Sequence, residues 1–258
     1  MPLHIPSRQI QEDRSLVRLR MIMTKKQTRC KNQIKALLSY YGITIPPEVN
    51  SSHWSNRLIS WLEGLTSEGV DTGVGGVYED REIKGHEENR FRHRSGKQAL
   101  GILLSELRYY RTNIAQLTRE IRHLSEQERY KESVRNLKTI PGISTLSAMV
   151  ILTELGEISR FKNIDHLSSY VGLIPQDSSG GECNQGGVTR RRNTYLRHLL
   201  IENSWVAVRK DPALLMTFIQ LSKRMPKNKA IIRIARKLLS RIYYVLKNRR
   251  EYVIGVVS

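Results

Sequence analysis

Ser178-Ser179-Gly180-Gly181 lies inside a polar stretch, residues 176–189, that runs directly into Arg190, Arg191 and Arg192. A serine hydroxyl is a weak nucleophile until a base removes its proton or a neighbour stabilises charge building on the atom attacked. Guanidinium groups do the second job well when that atom is phosphorus, because their forked donors match phosphate oxygens. Residue types alone also fit a plainer reading, a flexible Ser-Gly loop beside a solvated basic stretch.

The surrounding charge favours a polyanion. Residues 186–250 hold 17 Lys and Arg against Glu202 and Asp211, a local +15 within a chain of net charge +19. A basic helix is ordinarily balanced by neighbouring acids; with those acids missing, a surface that tracks phosphates is the better reading. Its candidate contacts are Arg190, Arg191, Arg192, Arg197, Arg233, Arg236 and Lys237, with Arg241 on the same helix. Gly142, in Ile140-Pro141-Gly142-Ile143, is a further candidate. The motif resembles the turn of a helix-hairpin-helix module, in which glycine permits a tight turn and the next helix offers free N–H groups to a phosphate. Ser144 stands where such turns carry a second glycine.

Other chemistries are disfavoured. Cys30 and Cys183 are far apart and have no C-x-x-C partner, so neither a zinc site nor a disulfide framework is expected, and a reducing cytoplasm is the default. Residues 1–15 lack a signal-peptide core, and no apolar run is long enough to span a membrane.

The elements that must position these residues read as helices throughout. Residues 9–41 form one long basic helix with Leu16, Leu19, Met23, Cys30 and Leu37 as its seam, stopped by Gly42 and Ile45-Pro46-Pro47. A short helix fits 52–65. Residues 66–95, rich in Gly and charge, read as a surface insertion or a mobile loop. Leu100, Leu103, Leu107, Tyr110, Ile114, Leu117, Ile121 and Leu124 then step by three and four, a heptad seam. Its partner is either the 9–41 helix folded back or the same helix of a second subunit. Short helices follow at 145–155, 164–171, 194–210, 212–223 and 229–247. The expected architecture is mainly α: a helical hairpin or coiled coil (1–130), then a compact α-helical serine domain (131–258) with the hairpin-like element.

Several of these stretches occur together in one family. TIPGISTLSAMVILTELGEISRFKNIDHLSSYVGLIPQDSSGG, then GGVTRRRNTYLRHLLIENSW and KAIIRIARKLLSRIYYVLKN, resemble the C-terminal domain of the DEDD-type insertion-sequence transposases, the bridge-RNA-guided recombinases. IPSRQIQEDRSLVRLRMIMTKKQTRCKNQIKALLSYYGI resembles the segment that follows their RuvC-like core. The resemblance implies a serine that attacks a DNA phosphodiester, here Ser179 with Ser178 as the alternative. It also implies Mg2+ held by four acidic residues of the RuvC-like core, and as partners DNA, a guide (bridge) RNA and further copies of the chain. Two departures stand out. The family's acidic residues precede the segment with which this chain begins, and Asp13, the one early aspartate, has no D-x-x-D partner. Arg192 occupies the family's usual glycine before Asn193. The sequence therefore reads as an N-terminally truncated transposase, expected to bind DNA, to hold no metal of its own and to be inactive alone. The rival reading is a non-catalytic nucleic-acid-binding repressor or competitor of the full-length enzyme.

Overall fold

The computed structural model describes residues 5–49, 53–67, 89–173 and 192–253, and every regular element among them is helical. Nine α-helices among the described residues follow in order: α1 Arg8–Tyr40, α2 Asn56–Gly64, α3 Arg94–Ser125, α4 Glu128–Lys138, α5 Thr145–Leu155, α6 Ile164–Val171, α7 Thr194–Lys210, α8 Pro212–Ser222 and α9 Lys227–Asn248. A 3-10 turn, Ile158–Arg160, precedes α6. The mainly α architecture expected from the sequence is the one observed. No described helix is long and apolar enough to cross a membrane. The chain folds as two compact units, residues 1–19 with 117–258, and residues 20–116.

In the 20–116 unit, the later part of α1, α2 and the first part of α3 share one core. Cys30, Ile34 and Leu38 meet Leu58 and Leu62 from α2 and Leu100, Leu104, Leu107 and Tyr110 from α3. This half of the expected seam therefore packs within the chain. Its register departs from the expected one: Leu104 is buried in place of Leu103, and in α1 Ile34 and Leu38 are buried in place of Leu37. Burial raises the pKa of Cys30, whose thiol donates to the Leu103 carbonyl at 3.3 Å. The expected insertion also shrinks from its C-terminal side. Asn89 exchanges hydrogen bonds with the Thr44 backbone at 2.6 and 2.8 Å, and Phe91 enters the core. Residues 68–88 of that insertion lie outside the described residues.

Tyr110 yields a pH prediction. Its hydroxyl donates to Glu106 Oε1 at 2.6 Å, and this bond, with burial, pushes its pKa up to about 12. An unfolded chain releases that proton near pH 10. The folded state holds it longer, so the stability from this bond is whole below about pH 10 and is lost as pH rises through about 12. A phenolate absorbance titration should show a late step that Tyr110→Phe removes; an unchanged titration in that variant would contradict the assignment.

In the other unit α9 is central. Ala230, Ile231, Ile234, Ala235, Leu238, Leu239, Ile242 and Val245 recur in adjacent pairs every four residues, giving a wide apolar stripe that α4, α6, α7 and α8 cover. Local stop and start signals set the surrounding helices. Ser144, Asn163, Asn193 and Asp211 each accept a backbone N–H from the first turn of α5, α6, α7 and α8, and Pro212 occupies the first position of α8.

Candidate nucleic-acid interface

Ser178, Ser179, Arg190 and Arg191 lie outside the described residues; the structure shows what holds the two ends of that stretch. Helix α6 ends at Gly172 in the left-handed conformation (φ 79°), and α7 begins after Asn193. The Asn193 N–H donates to the Tyr170 carbonyl at 3.0 Å, and the Arg197 guanidinium donates to the Gly172 carbonyl. Leu173 and Arg192, which flank residues 174–191, are thereby held side by side.

Beneath them lies a buried carboxylate. Glu154 is the one charged residue of α5, next to its last position, and is 1% exposed. Arg18 forks onto both its oxygens at 2.5 and 2.8 Å, and the bond to Glu154 raises the Arg18 pKa. The Asn193 side-chain amide donates to Glu154 Oε2 at 2.7 Å while its oxygen caps α7 at Leu196 N, 3.0 Å. The Tyr170 hydroxyl donates to the Glu154 carbonyl at 3.2 Å, the Arg14 Nε to the Thr153 carbonyl at 2.7 Å, and the Arg18 guanidinium sits 4.7 Å over the Tyr195 ring. A carboxylate so deep in the fold is kept by its donors, and these donors fix where α7 starts. Sequence reasoning missed Glu154. Its signal was the lone acid in TLSAMVILTEL, where an unpaired charge has no physical place.

Arg192 and Arg197 share this base. The Arg192 side chain lies against Gly172, where an added Cβ would come within 2.9 Å of Arg192 Cβ. Burial lowers the Arg197 pKa, and the charge of Arg192 lowers it further. Both arginines thus lie against Gly172 beside the ends of the serine-bearing stretch, and no acid pairs either among the described residues. An anion placed between them would relieve that repulsion.

The α9 candidates separate. Arg233 and Lys237 are exposed and have no acidic partner among the described residues. With Lys229, Tyr244 and Lys247, also exposed, they form one line along the helix. At about 1.5 Å per residue that line runs roughly 27 Å. Lys229 and Lys247 were missed, although their helical spacing from Arg233, four residues before it and fourteen after it, was the available signal. Arg236 pairs with Asp165 at 2.7 Å. Arg241 is half-buried, bonded to Asp211 and stacked 4.9 Å over Tyr252, so it braces α9 against the start of α8. Asp211, 2% exposed, is spent on that pair, so one of the two acids in the basic stretch does not reach the surface. Gly142 sits in the α4–α5 turn at φ 92°. A Cβ there would come 2.7 Å from the Asn203 carbonyl oxygen, so this residue lets the turn pack against α7.

The described residues do not fit a Mg2+ site. No three His, Cys, Asp or Glu side chains among them converge on a common point. Glu154 and Asp211 are each engaged by an arginine, and Asp13 accepts from Tyr130 at 2.8 Å and pairs with Arg129 at 3.1 Å.

Comparison with known proteins gives this arrangement a setting. Residues 134–220 match the Transposase IS116/IS110/IS902 family. Over 250 residues the chain is 26% identical to the transposase for insertion sequence element IS1111A of Coxiella burnetii, covering 95% of this chain and 61% of that protein. It is 30% identical over 156 residues to a probable family 20 transposase of Pseudomonas aeruginosa, 58% of this chain and 46% of that one. A pilin gene-inverting protein of Moraxella lacunata is 29% identical over 183 residues, 65% of this chain and 55% of that protein. The chain therefore spans about half to three-fifths of the length of these relatives. Its family-matching segment runs from within α4 to within α8 and includes Glu154, Asn193 and Arg197. The chain is similar to IS116/IS110/IS902-family insertion-sequence transposases, and residues 134–220 are the part that matches the family.

Proposed function

We propose that this chain is the DNA-binding, serine-bearing part of an insertion-sequence transposase, with Ser179 as nucleophile and Ser178 as the alternative. The observation that carries the reading is that Arg192 and Arg197 both lie against Gly172, at the base of residues 174–191, with no acid pairing either among the described residues. Such a base fits a phosphate. In the proposed step Ser179 Oγ bonds to phosphorus and the bond from phosphorus to a deoxyribose oxygen breaks. The leaving oxygen takes up a proton, the serine proton passes to a base, and the guanidinium groups stabilise the charge on the equatorial oxygens. The Arg18–Glu154–Asn193 network acts indirectly, by holding the start of α7. A bridge RNA and further copies of the chain belong to the same proposal, on the family resemblance. Mg2+ does too, but no step is derived through it, because the described residues do not fit it.

Duplex DNA would lie along the line Lys229, Arg233, Lys237 and Lys247. Neutralising about six phosphates gives a log–log dependence of affinity on salt of roughly −5. Changing both Arg233 and Lys237 to Gln should bring that slope about two units nearer zero, with little dependence on DNA sequence. Fluorescence anisotropy across a salt series measures both. Affinity independent of salt would remove the nucleic-acid reading, and an unchanged slope in the double variant would remove α9 from the interface.

A further inference from the structure

Two residues in the unit centred on α9 stand against their local preferences, and one cavity joins them. Asn136 of α4 is 4% exposed, yet its side-chain amide has no hydrogen-bond partner among the described residues. A buried amide without a partner costs stability, so native folds rarely keep one without a use for it. Arg249, just past α9, has φ 51° and is the one non-glycine residue with positive φ among the described residues. A side chain is strained in that conformation, which glycine adopts freely. Such strain persists where function requires it.

The cavity, of about 200 Å³, lies between α4 and the end of α9. Glu132, Ser133 and Asn136 share one face of α4 by their spacing, and Val245, Leu246 and Arg249 line the other side. Glu128 and Arg129 also line it, but each has an ion-pair partner, Lys131 at 3.8 Å and Asp13 at 3.1 Å. Glu132 and Arg249 have none among the described residues, one charge of each sign, so the cavity selects neither an anion nor a cation. Its occupant is neutral, presents donors and acceptors along one edge to the amide, and has a flat face for Val245 and Leu246. A nucleobase has all three properties, and unpaired bases are read by hydrogen bonds at their edges and by stacking on guanidinium planes. An asparagine amide suits adenine, accepting from N6 and donating to N7, and Glu132 can accept from an amino group that thymine lacks. We infer that this cavity takes one unpaired nucleobase, adenine before thymine, with Asn136 reading its edge and Arg249 stacking on its face. The inference deepens the nucleic-acid reading and rests on it.

Free nucleosides carry no phosphate, so they test the cavity apart from the basic surface. Titration of the full chain with adenosine and with thymidine, followed by saturation-transfer NMR, should show adenosine binding about tenfold more tightly. Asn136→Leu, of similar volume, should weaken adenosine about tenfold and yet raise the urea midpoint, because it removes an unpartnered buried amide. Its affinity for duplex DNA should stay at the parent's value. Arg249→Gly should weaken adenosine several-fold and also raise the midpoint, since glycine accepts φ 51° without strain. A lower midpoint in Asn136→Leu would show that the amide is already satisfied and would overturn the proposal. Equal binding of the two nucleosides, or adenosine binding unchanged in Asn136→Leu, would overturn it too. A parent chain that binds duplex DNA but no adenosine would remove the cavity alone; one that binds neither would remove the nucleic-acid reading with it.

Discussion

Arg18→Met should lower the stability of the folded chain by roughly 3 kcal/mol, the cost of leaving a buried carboxylate without its charged partner. Glu154 is 1% exposed and would keep only the Asn193 amide as a side-chain donor. The Arg18 side chain is itself 38% exposed, so water can partly replace it, and the expected loss sits at the low end of the range for buried pairs. For a domain of this size the change corresponds to a fall in Tm of about 6–12 °C. Urea unfolding should show the midpoint dropping with an unchanged slope. A double variant, Arg18→Met with Glu154→Leu, should recover most of the loss, because no uncompensated charge remains. A double variant as unstable as the single one would show that the cost lies elsewhere, in the stacking of Arg18 on the Tyr195 ring.

The parts of this fold that could be read from sequence are those set by local signals. The limits of α5, α6 and α7 agree with expectation because Ser144, Asn163 and Asn193 announce the starts, while Gly156 and Gly172 announce two of the ends. The break between α3 and α4 was not legible. Glu126-Gln127 contains neither glycine nor proline, and apolar residues continue on both sides of it. Register within long helices was only partly legible, since Leu103 and Leu104 offer equivalent burial until the neighbouring helix is in place.

The site divides in the same way. The arginines were conspicuous as charge, but which of them face solvent depends on partners distant in sequence. Arg236 meets Asp165 across 71 positions and Arg241 meets Asp211 across 30. Glu154 and Arg18 are 136 positions apart, and only the fold shows that one holds the other. Ser178 and Ser179 were named from the family pattern and lie outside the described residues, so covalent chemistry is what distinguishes them.

That chemistry makes the largest difference a single atom can make here. Phosphodiester bonds have among the highest uncatalysed barriers, so a variant without its nucleophilic oxygen should retain no measurable strand breakage while still binding DNA. The direct measurement uses DNA labelled at the insertion-sequence end and this chain joined to the acid-bearing segment that the family resemblance implies. The label is followed onto protein and the modified peptide sequenced. The account predicts a covalent adduct on Ser179, absent in Ser179→Ala, which should still bind DNA with the parent's salt dependence. An adduct that survives in Ser179→Ala and disappears in Ser178→Ala would move the nucleophile by one residue. An adduct that survives both changes would contradict the account.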